Sequence, residues 1–256
     1  VTAYDAELAI RLARASLDAY AGPTHTERLQ KQWKSDSAKL IVAGETEALL
    51  LLFPDHAILA FRGTSSAADV RTDIRSGRAI WKGTSVHEGF LTAWLEIRPA
   101  IVAALQGHLL DGQPLYVTGH SLGGGLATLC ACDFSGGRYA GRTVLYSFGS
   151  PRVGDRHFAS LCNQRLANRQ WRVVHGNDVV PRVPRVFRTS MLLPKYIPLL
   201  PTSRRYRHSD SLVLLTEDGH TLLDPSAFRL LVERVIGFRA DFGRDHLMVA
   251  YLEALL

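Results

Sequence analysis

Gly119-His120-Ser121-Leu122-Gly123 sets a serine between two glycines, and the flanking residues decide what that serine can do. Leu115 to Thr118 is a short apolar run of strand formers, and a small-residue helical stretch begins after Gly123. A strand that turns at once into a helix holds its central residue in a strained backbone position, with room on either side only for residues lacking Cβ. Such a turn lifts the Ser121 hydroxyl clear of the sheet at a helix N-terminus, where backbone N–H groups can face a developing oxyanion. The expected chemistry is nucleophilic attack on a carbonyl carbon. Taken alone, the five residues also fit a plain strand–turn–helix joint with a serine N-cap.

A serine hydroxyl near neutral pH is a weak nucleophile until a base takes its proton, and the base needs an anionic partner to hold its tautomer. In sites built on this turn, an acid and then a histidine follow later in the chain, each beyond a strand end. Asp178 fits the acid: it follows the run Trp171–His175 through Gly176-Asn177, and Pro181 stops the segment. Asp155 and Asp133 are rivals, both read as helix residues, Asp155 as a first-turn or capping acid. Of the ten histidines, His246 fits the base, since it is the last and lies after the turn Phe242–Asp245. Its rivals are His208 and His220, the latter read as a surface residue of a hairpin. His120 must face away from the cleft for Ser121 to face in, so it is given a packing role, and His87 and His175 are given structural hydrogen bonds. No H-x-x-x-H pair, zinc-spaced cysteines, G-x-G-x-x-G or phosphate loop competes, so neither metal nor cofactor is expected.

The elements that must position these residues are legible in outline. Tyr4, Leu8, Leu12, Ala15 and Ala19 recur at helical spacing, which predicts a first helix over residues 4–19 ended by Gly22-Pro23. Residues 24–38 are polar and carry no clear pattern. Strands are predicted at Lys39–Ala43, Glu47–Phe53 and Ala57–Phe61, joined closely enough to be antiparallel. Residues 62–86 read as turn, about two helical turns over Ala67–Ile74, and loop from Ser76 to Ser85. A long amphipathic helix is predicted from about Glu88 to Leu110, kinked or interrupted at Pro99. Helix Leu122–Cys132, strand Thr143–Phe148, helix Asp155–Leu166 and strand Trp171–His175 follow. Strand and helix thus alternate from Leu115 to His175, the pattern of parallel βαβ units with helices on both faces. Ser211–Leu215 and His220–Leu223 form a hairpin, residues 226–238 a helix, and His246–Leu256 a closing helix. The expected fold is α/β, with a mixed, mostly parallel central sheet and antiparallel strands on its N-terminal side.

At 256 residues, 46% hydrophobic and 21% charged, the chain reads as one domain over residues 1–256. No apolar stretch is long enough to span a bilayer. No secretion signal opens the chain at Val1, and secretion with the signal already removed is favoured over a cytoplasmic location. The net charge of +6 implies solubility and loose attraction to anionic surfaces. Residues 182–207 carry seven Arg or Lys residues and no acid, interleaved with apolar residues, and read as a long loop rather than a lipid-meeting surface. No nucleic-acid module surrounds them. Cys130, Cys132 and Cys162 make no disulfide framework and are read as buried thiols.

With these residues placed, the chain resembles the class 3, fungal-type triacylglycerol lipases within the α/β hydrolases. The resemblance rests on Phe61-Arg-Gly-Thr64, Val86-His-Glu-Gly-Phe90, Gly119-His-Ser-Leu-Gly-Gly124, Tyr146-Ser-Phe-Gly-Ser-Pro-Arg-Val-Gly154, His175-Gly-Asn-Asp-Val-Val-Pro-Arg-Val-Pro184 and Asp245-His-Leu-Met248, in that order. It implies a Ser121–Asp178–His246 triad, an oxyanion hole from Thr64 and the N–H of Leu122, and no metal. It also implies a lid over about 66–76, where Val70 and Ile74 are the only large apolar residues, so strong interfacial activation is not expected. Trp81, Val180 and the 191–200 loop are the remaining candidates for contact with substrate or interface. The implied activity is triacylglycerol lipase on an ester or lipid substrate at a lipid–water interface; a short-chain carboxylesterase, phospholipase A1 or feruloyl-type esterase would use the same residues. A non-enzymatic lipid-binding protein or a serine peptidase on the same scaffold are the readings from other classes. The missing disulfides fit a bacterial member.

Overall fold

Residues that alternate or run apolar without a break decide which strands lie inside. Thr46–Leu52 and Ala57–Phe61 are buried on both faces along nearly their whole length, as expected of strands covered by helices on each side. In the computed structural model, which describes residues 3–63, 77–109, 112–182, 206–209, 211–226, 230 and 246–256, they form the second and third strands of an eight-stranded sheet. The strands are β1 (Ser37–Ala43), β2 (Thr46–Leu52), β3 (Ala57–Phe61), β6 (Leu115–His120), β7 (Thr143–Phe148), β9 (Gln170–His175), β11 (Leu212–Leu215) and β12 (Thr221–Leu223), in that spatial order. The first three pair antiparallel, β3 to β11 pair parallel, and β12 closes the edge antiparallel. A second, antiparallel sheet holds β4 (Arg78–Trp81), β5 (Thr84–His87), β8 (Gly154–Asp155) and β10 (Tyr206–Arg207).

Helices cover both faces of the large sheet. On one side, α3 (Glu88–Leu105), α4 (Leu122–Phe134) and α5 (Arg156–Arg165) pack Trp94, Ile97, Ile101, Leu129 and Phe158 against β2, β3 and β6. On the other, α1 (Ala6–Asp18), α2 (Thr26–Trp33) and α6 (Met248–Leu255) bury Leu12, Leu29 and Tyr251 against Ile58, Tyr146 and Val173. Asp5 caps α1 by accepting the Leu8 N–H at 3.0 Å. The fold is the expected mixed α/β sheet with helices on both faces.

Several expectations are corrected. The unpatterned 24–38 stretch contains α2, a polar helix that buries only Leu29 and so shows no apolar stripe. The region expected to be loop up to Ser85 contains the β4–β5 hairpin. The long helix ends at Leu105 rather than Leu110, and it runs through Pro99 without a break in its span. Pro99 lies on the exposed side, where the carbonyl of half-exposed Leu95 loses its helical partner and can turn to water. The closing helix starts at Met248, two residues beyond His246. The helix expected over 67–74, the lid over 66–76, most of the helix expected over 226–238 and most of the basic loop lie outside the described residues.

Candidate active site

The register of the parallel strands brings their carboxyl ends level. Phe61 of β3 pairs with Gly119 of β6, and His120 of β6 pairs with Phe148 of β7. Chain leaving β3, β6, β7 and β9 therefore emerges along one edge, the usual place for a site in such sheets. Ser121 sits there between β6 and α4 with φ 58° and ψ −128°, the strained conformation expected of the turn. The flanking glycines are required by close approach. A Cβ on Gly119 would lie 2.3 Å from the Gly123 carbonyl oxygen, and one on Gly123 would lie 2.3 Å from that of Phe61.

Ser121 Oγ lies 2.9 Å from His246 Nε2, and His246 Nδ1 lies 2.8 Å from Asp178 Oδ2. All three side chains are buried, in a setting where charge is weakly screened. Asp178 follows β9 through Gly176-Asn177 as expected. Its Oδ1 accepts the Val180 N–H at 2.9 Å, so Val180, expected as a substrate contact, supports the Asp178 carboxylate through its backbone while its side chain is buried. The carboxylate has another partner that the sequence reading missed: the Tyr251 hydroxyl donates to Oδ2 at 2.6 Å. Burial first, and the neighbouring Asp178 second, push the Tyr251 phenol well above its ordinary value, so it stays a donor. The available signal was a tyrosine inside the apolar run Leu247–Leu256, since a buried phenol needs a polar partner.

Leu122 is the first residue of α4, where backbone N–H groups have no acceptor within the helix. Thr64, Val70 and Ile74 lie outside the described residues. Gly63, immediately before Thr64, lies against Ser121: a Cβ placed on it would be 3.3 Å from the Ser121 Cβ. Trp81 is not the exposed contact expected of it. It packs in the core with its ring 6.1 Å from that of Phe158, and the neighbouring Ile80 points outward, 77% exposed.

The rivals fall into other roles. Asp155 caps α5, accepting the N–H groups of His157 and Phe158. Asp133 is buried and takes hydrogen bonds from Lys82 at 2.6 Å, Arg98 at 2.8 Å and Trp94 at 3.2 Å, tying the β4–β5 hairpin to α3 and α4. Burial alone would raise the Asp133 carboxyl, but the hydrogen bonds from Lys82 and Arg98 hold it below its ordinary value. His208 lies 2.6 Å from the Pro181 carbonyl, and His220 is exposed beside Asp218. Cys130, Cys132 and Cys162 are free and buried. No group of three or more His, Cys, Asp or Glu among the described residues could hold a metal.

His120 is more than packing. Its ring lies 4.7 Å from that of His246, and its Nε2 is 2.7 Å from the His246 carbonyl oxygen. Burial, and then proximity to His246, push His120 down to about 3. Burial likewise lowers His56 and, together with Arg172, His208. Unfolded histidines take up protons near pH 6.5, whereas these folded ones do so only at lower pH. The unfolded state therefore binds more protons across that window, and stability falls as pH drops below about 6.5, by up to about 1.4 kcal/mol per pH unit for each such histidine. The urea midpoint is expected to fall steadily from about pH 7 to about pH 4.5, above the range where most carboxylates titrate. A midpoint flat over that range would contradict neutral burial of these rings.

A family model described as lipase (class 3) matches residues 58–187. Among curated relatives, secreted mono- and diacylglycerol lipase 1 of Fusarium solani is 36% identical over 133 residues, covering 50% of this chain and 39% of that protein. The lipase of Rhizomucor miehei is 31% identical over 173 residues, 63% of this chain and 45% of that protein. The matched chain thus spans less than half the length of these fungal relatives. Among solved structures, the lipase from Rhizopus microsporus var. chinensis superposes with a TM-score of 0.63 at 26% identity, covering 84% of this chain and 76% of that one. Rhizomucor miehei triacylglyceride lipase gives 0.65 at 22% identity over 94% and 96%, a likeness of fold. The matched segment runs from β3 to just past Asp178, just over half of the chain, and includes the turn that carries Ser121: the chain belongs to the class 3 lipase family.

Proposed function

We propose that this chain is a single-domain serine hydrolase that cleaves carboxylic esters of lipids through an acyl-enzyme, with Ser121 as nucleophile, His246 as base and Asp178 as its anionic partner. The buried chain of hydrogen bonds from Ser121 Oγ through His246 to Asp178, set on a strained strand-to-helix turn, carries this reading. Ser121 Oγ attacks the ester carbonyl carbon while its proton passes to His246 Nε2. The C=O electron pair moves onto oxygen, where the Leu122 N–H and the hydroxyl and N–H of Thr64 meet it. Asp178 steadies the imidazolium. The intermediate collapses by breaking the bond to the alcohol oxygen, which leaves with the proton from His246. Water then repeats the sequence on the acyl-enzyme, releasing the acid and restoring Ser121.

Membership of a lipase family and apolar exposure beside the base favour a water-insoluble acyl ester. Leu247 and Val249 follow His246 in the chain and are 56% and 49% exposed. The relative from Fusarium solani is named a secreted lipase, which agrees with a secreted role here. Among the described residues no helix is long and apolar enough to cross a membrane. The deciding experiment follows the initial rate on tributyrin from below to above its solubility limit, with Ser121→Ala as blank. A rate jump as droplets form supports a lipase working at an interface. Smooth saturation below the limit assigns the same triad to a soluble-ester hydrolase, the alternative favoured by the sparse large residues of the 66–76 segment.

Two residues outside the triad have their own expected effects. Thr64→Val removes the side-chain donor but keeps the backbone N–H, so kcat is expected to fall by about 10²-fold with KM little changed; an unchanged kcat would place the oxyanion donor elsewhere. Tyr251→Phe deletes the hydroxyl that donates to Asp178 Oδ2, leaving His246 as the side-chain donor to that oxygen. Loss of a hydrogen bond to a charged group is worth about 1.5–3 kcal/mol, and we expect roughly tenfold lower kcat together with a lower unfolding midpoint. Full activity in Tyr251→Phe would mean the carboxylate is held well enough by Val180 and His246.

A further inference from the structure

One carbonyl oxygen fixes the direction of a hydrogen-bond chain that the catalytic steps above do not use. The His246 carbonyl can only accept, so the His120 nitrogen 2.7 Å away, Nε2, must carry a proton. In a neutral ring the other nitrogen, Nδ1, is then a bare acceptor. The Tyr20 hydroxyl lies 3.1 Å from it and so donates. That leaves the Tyr20 oxygen free to accept, and the Gly63 N–H donates to it. The chain therefore runs from Gly63, on the segment leading to Thr64, through Tyr20 just beyond α1, across His120, to the backbone of His246. Gly63 has no space for a side chain here, because a Cβ would lie 2.5 Å from the Tyr20 oxygen and 2.4 Å from the His120 carbonyl oxygen.

We propose that Tyr20 and His120 are a positioning pair that holds the segment entering the oxyanion hole and the segment carrying the base at a fixed spacing on either side of Ser121. The proposal rests on the triad assignment above. It has a physical consequence for the reaction. Ser121 Oγ is held 2.9 Å from His246 Nε2 only while the His246 backbone stays in place, and a displacement of about 1 Å in such a site can cost about 10²-fold in rate. A neutral His120 also suits a neighbour that becomes an imidazolium during turnover, since a second cation at a ring distance of 4.7 Å would oppose that charge.

The test uses Tyr20→Phe, His120→Gln, their double variant and His120→Asn, assayed on p-nitrophenyl butyrate with rates normalised to sites titrated by an organophosphonate. Glutamine can place its amide nitrogen where Nε2 stands and keep the donor to His246, but it loses the acceptor for Tyr20; asparagine loses the far donor. Tyr20→Phe and His120→Gln should each lower kcat about tenfold with KM within about twofold, and the double variant should fall no further, because both break the same link. His120→Asn should fall about tenfold below His120→Gln. Single-variant kcat values within about twofold of the parent, or losses that multiply in the double variant, would overturn the pair. Nitrogen NMR of the unmutated protein gives an answer even if a variant fails to fold: His120 should show the Nε2–H tautomer, and an Nδ1–H ring would reverse the chain and refute it. Activity surviving in Ser121→Ala would instead defeat the triad reading, whereas Ser121-dependent activity indifferent to Tyr20 and His120 would defeat only the pair.

Discussion

Ser121→Ala should lower turnover of a soluble ester by at least about 10³-fold and as much as about 10⁶-fold, leaving the fold in place. Alanine retains the Cβ that Ser121 already carries at φ 58°, so the strain of the turn is unchanged and only the hydroxyl is lost. The lost hydroxyl takes with it the oxygen that lies 2.9 Å from His246 Nε2. What activity remains should come from the oxyanion donors and substrate binding. The measurement is kcat on p-nitrophenyl butyrate, with circular dichroism and the urea midpoint as controls. A folded Ser121→Ala protein that keeps a tenth or more of its activity would place the nucleophile elsewhere.

Asp178→Asn should cost about 10⁴-fold in kcat, and the hydrogen bonds around the carboxylate show how. Oδ2 faces two donors, His246 Nδ1–H and the Tyr251 hydroxyl, while Oδ1 faces the Val180 N–H. An amide offers one oxygen and one NH2. The Val180 N–H is backbone and cannot reverse, so the amide oxygen must go to it and the NH2 must take the Oδ2 place. Tyr251 can turn its proton away and accept. His246 can accept there only by moving its proton to Nε2, where it points at Ser121 and cannot receive a proton. The variant should therefore be well folded, nearly inactive, and show the Nε2–H tautomer of His246 by nitrogen NMR. A loss below about tenfold, or His246 still protonated at Nδ1, would contradict this account.

These two substitutions concern residues found by sequence, and the reason they were legible is local. The turn at Ser121 is specified by its own neighbours, because a Cβ on Gly119 or Gly123 would lie 2.3 Å from a backbone carbonyl oxygen, which excludes any side chain. Asp178 and His246 follow from chain order and from lying just beyond regular elements. The strands β3 and β7 were read at their observed limits because long apolar runs in a covered sheet leave no ambiguity. Where the pattern was short or polar, the reading failed. The β4–β5 hairpin has only four residues per strand, too few to show which face is buried, and Trp81, a candidate substrate or interface contact, packs inward while Ile80 takes the exposed side. Helix α2 buries a single leucine, so periodicity had nothing to report.

The sequence by itself determined the sheet class, and it pointed to the glycine-flanked turn at Ser121 and to the Asp178 and His246 that meet it, because each depends on residues next to one another or on their order along the chain. Only the tertiary structure decided what steadies those partners. Tyr251 meets Asp178 across 73 positions, and Tyr20 meets His120 across 100. Hydrogen bonds are formed in space at about 3 Å, and no spacing in the sequence encodes which buried phenol will come within that distance of which acceptor.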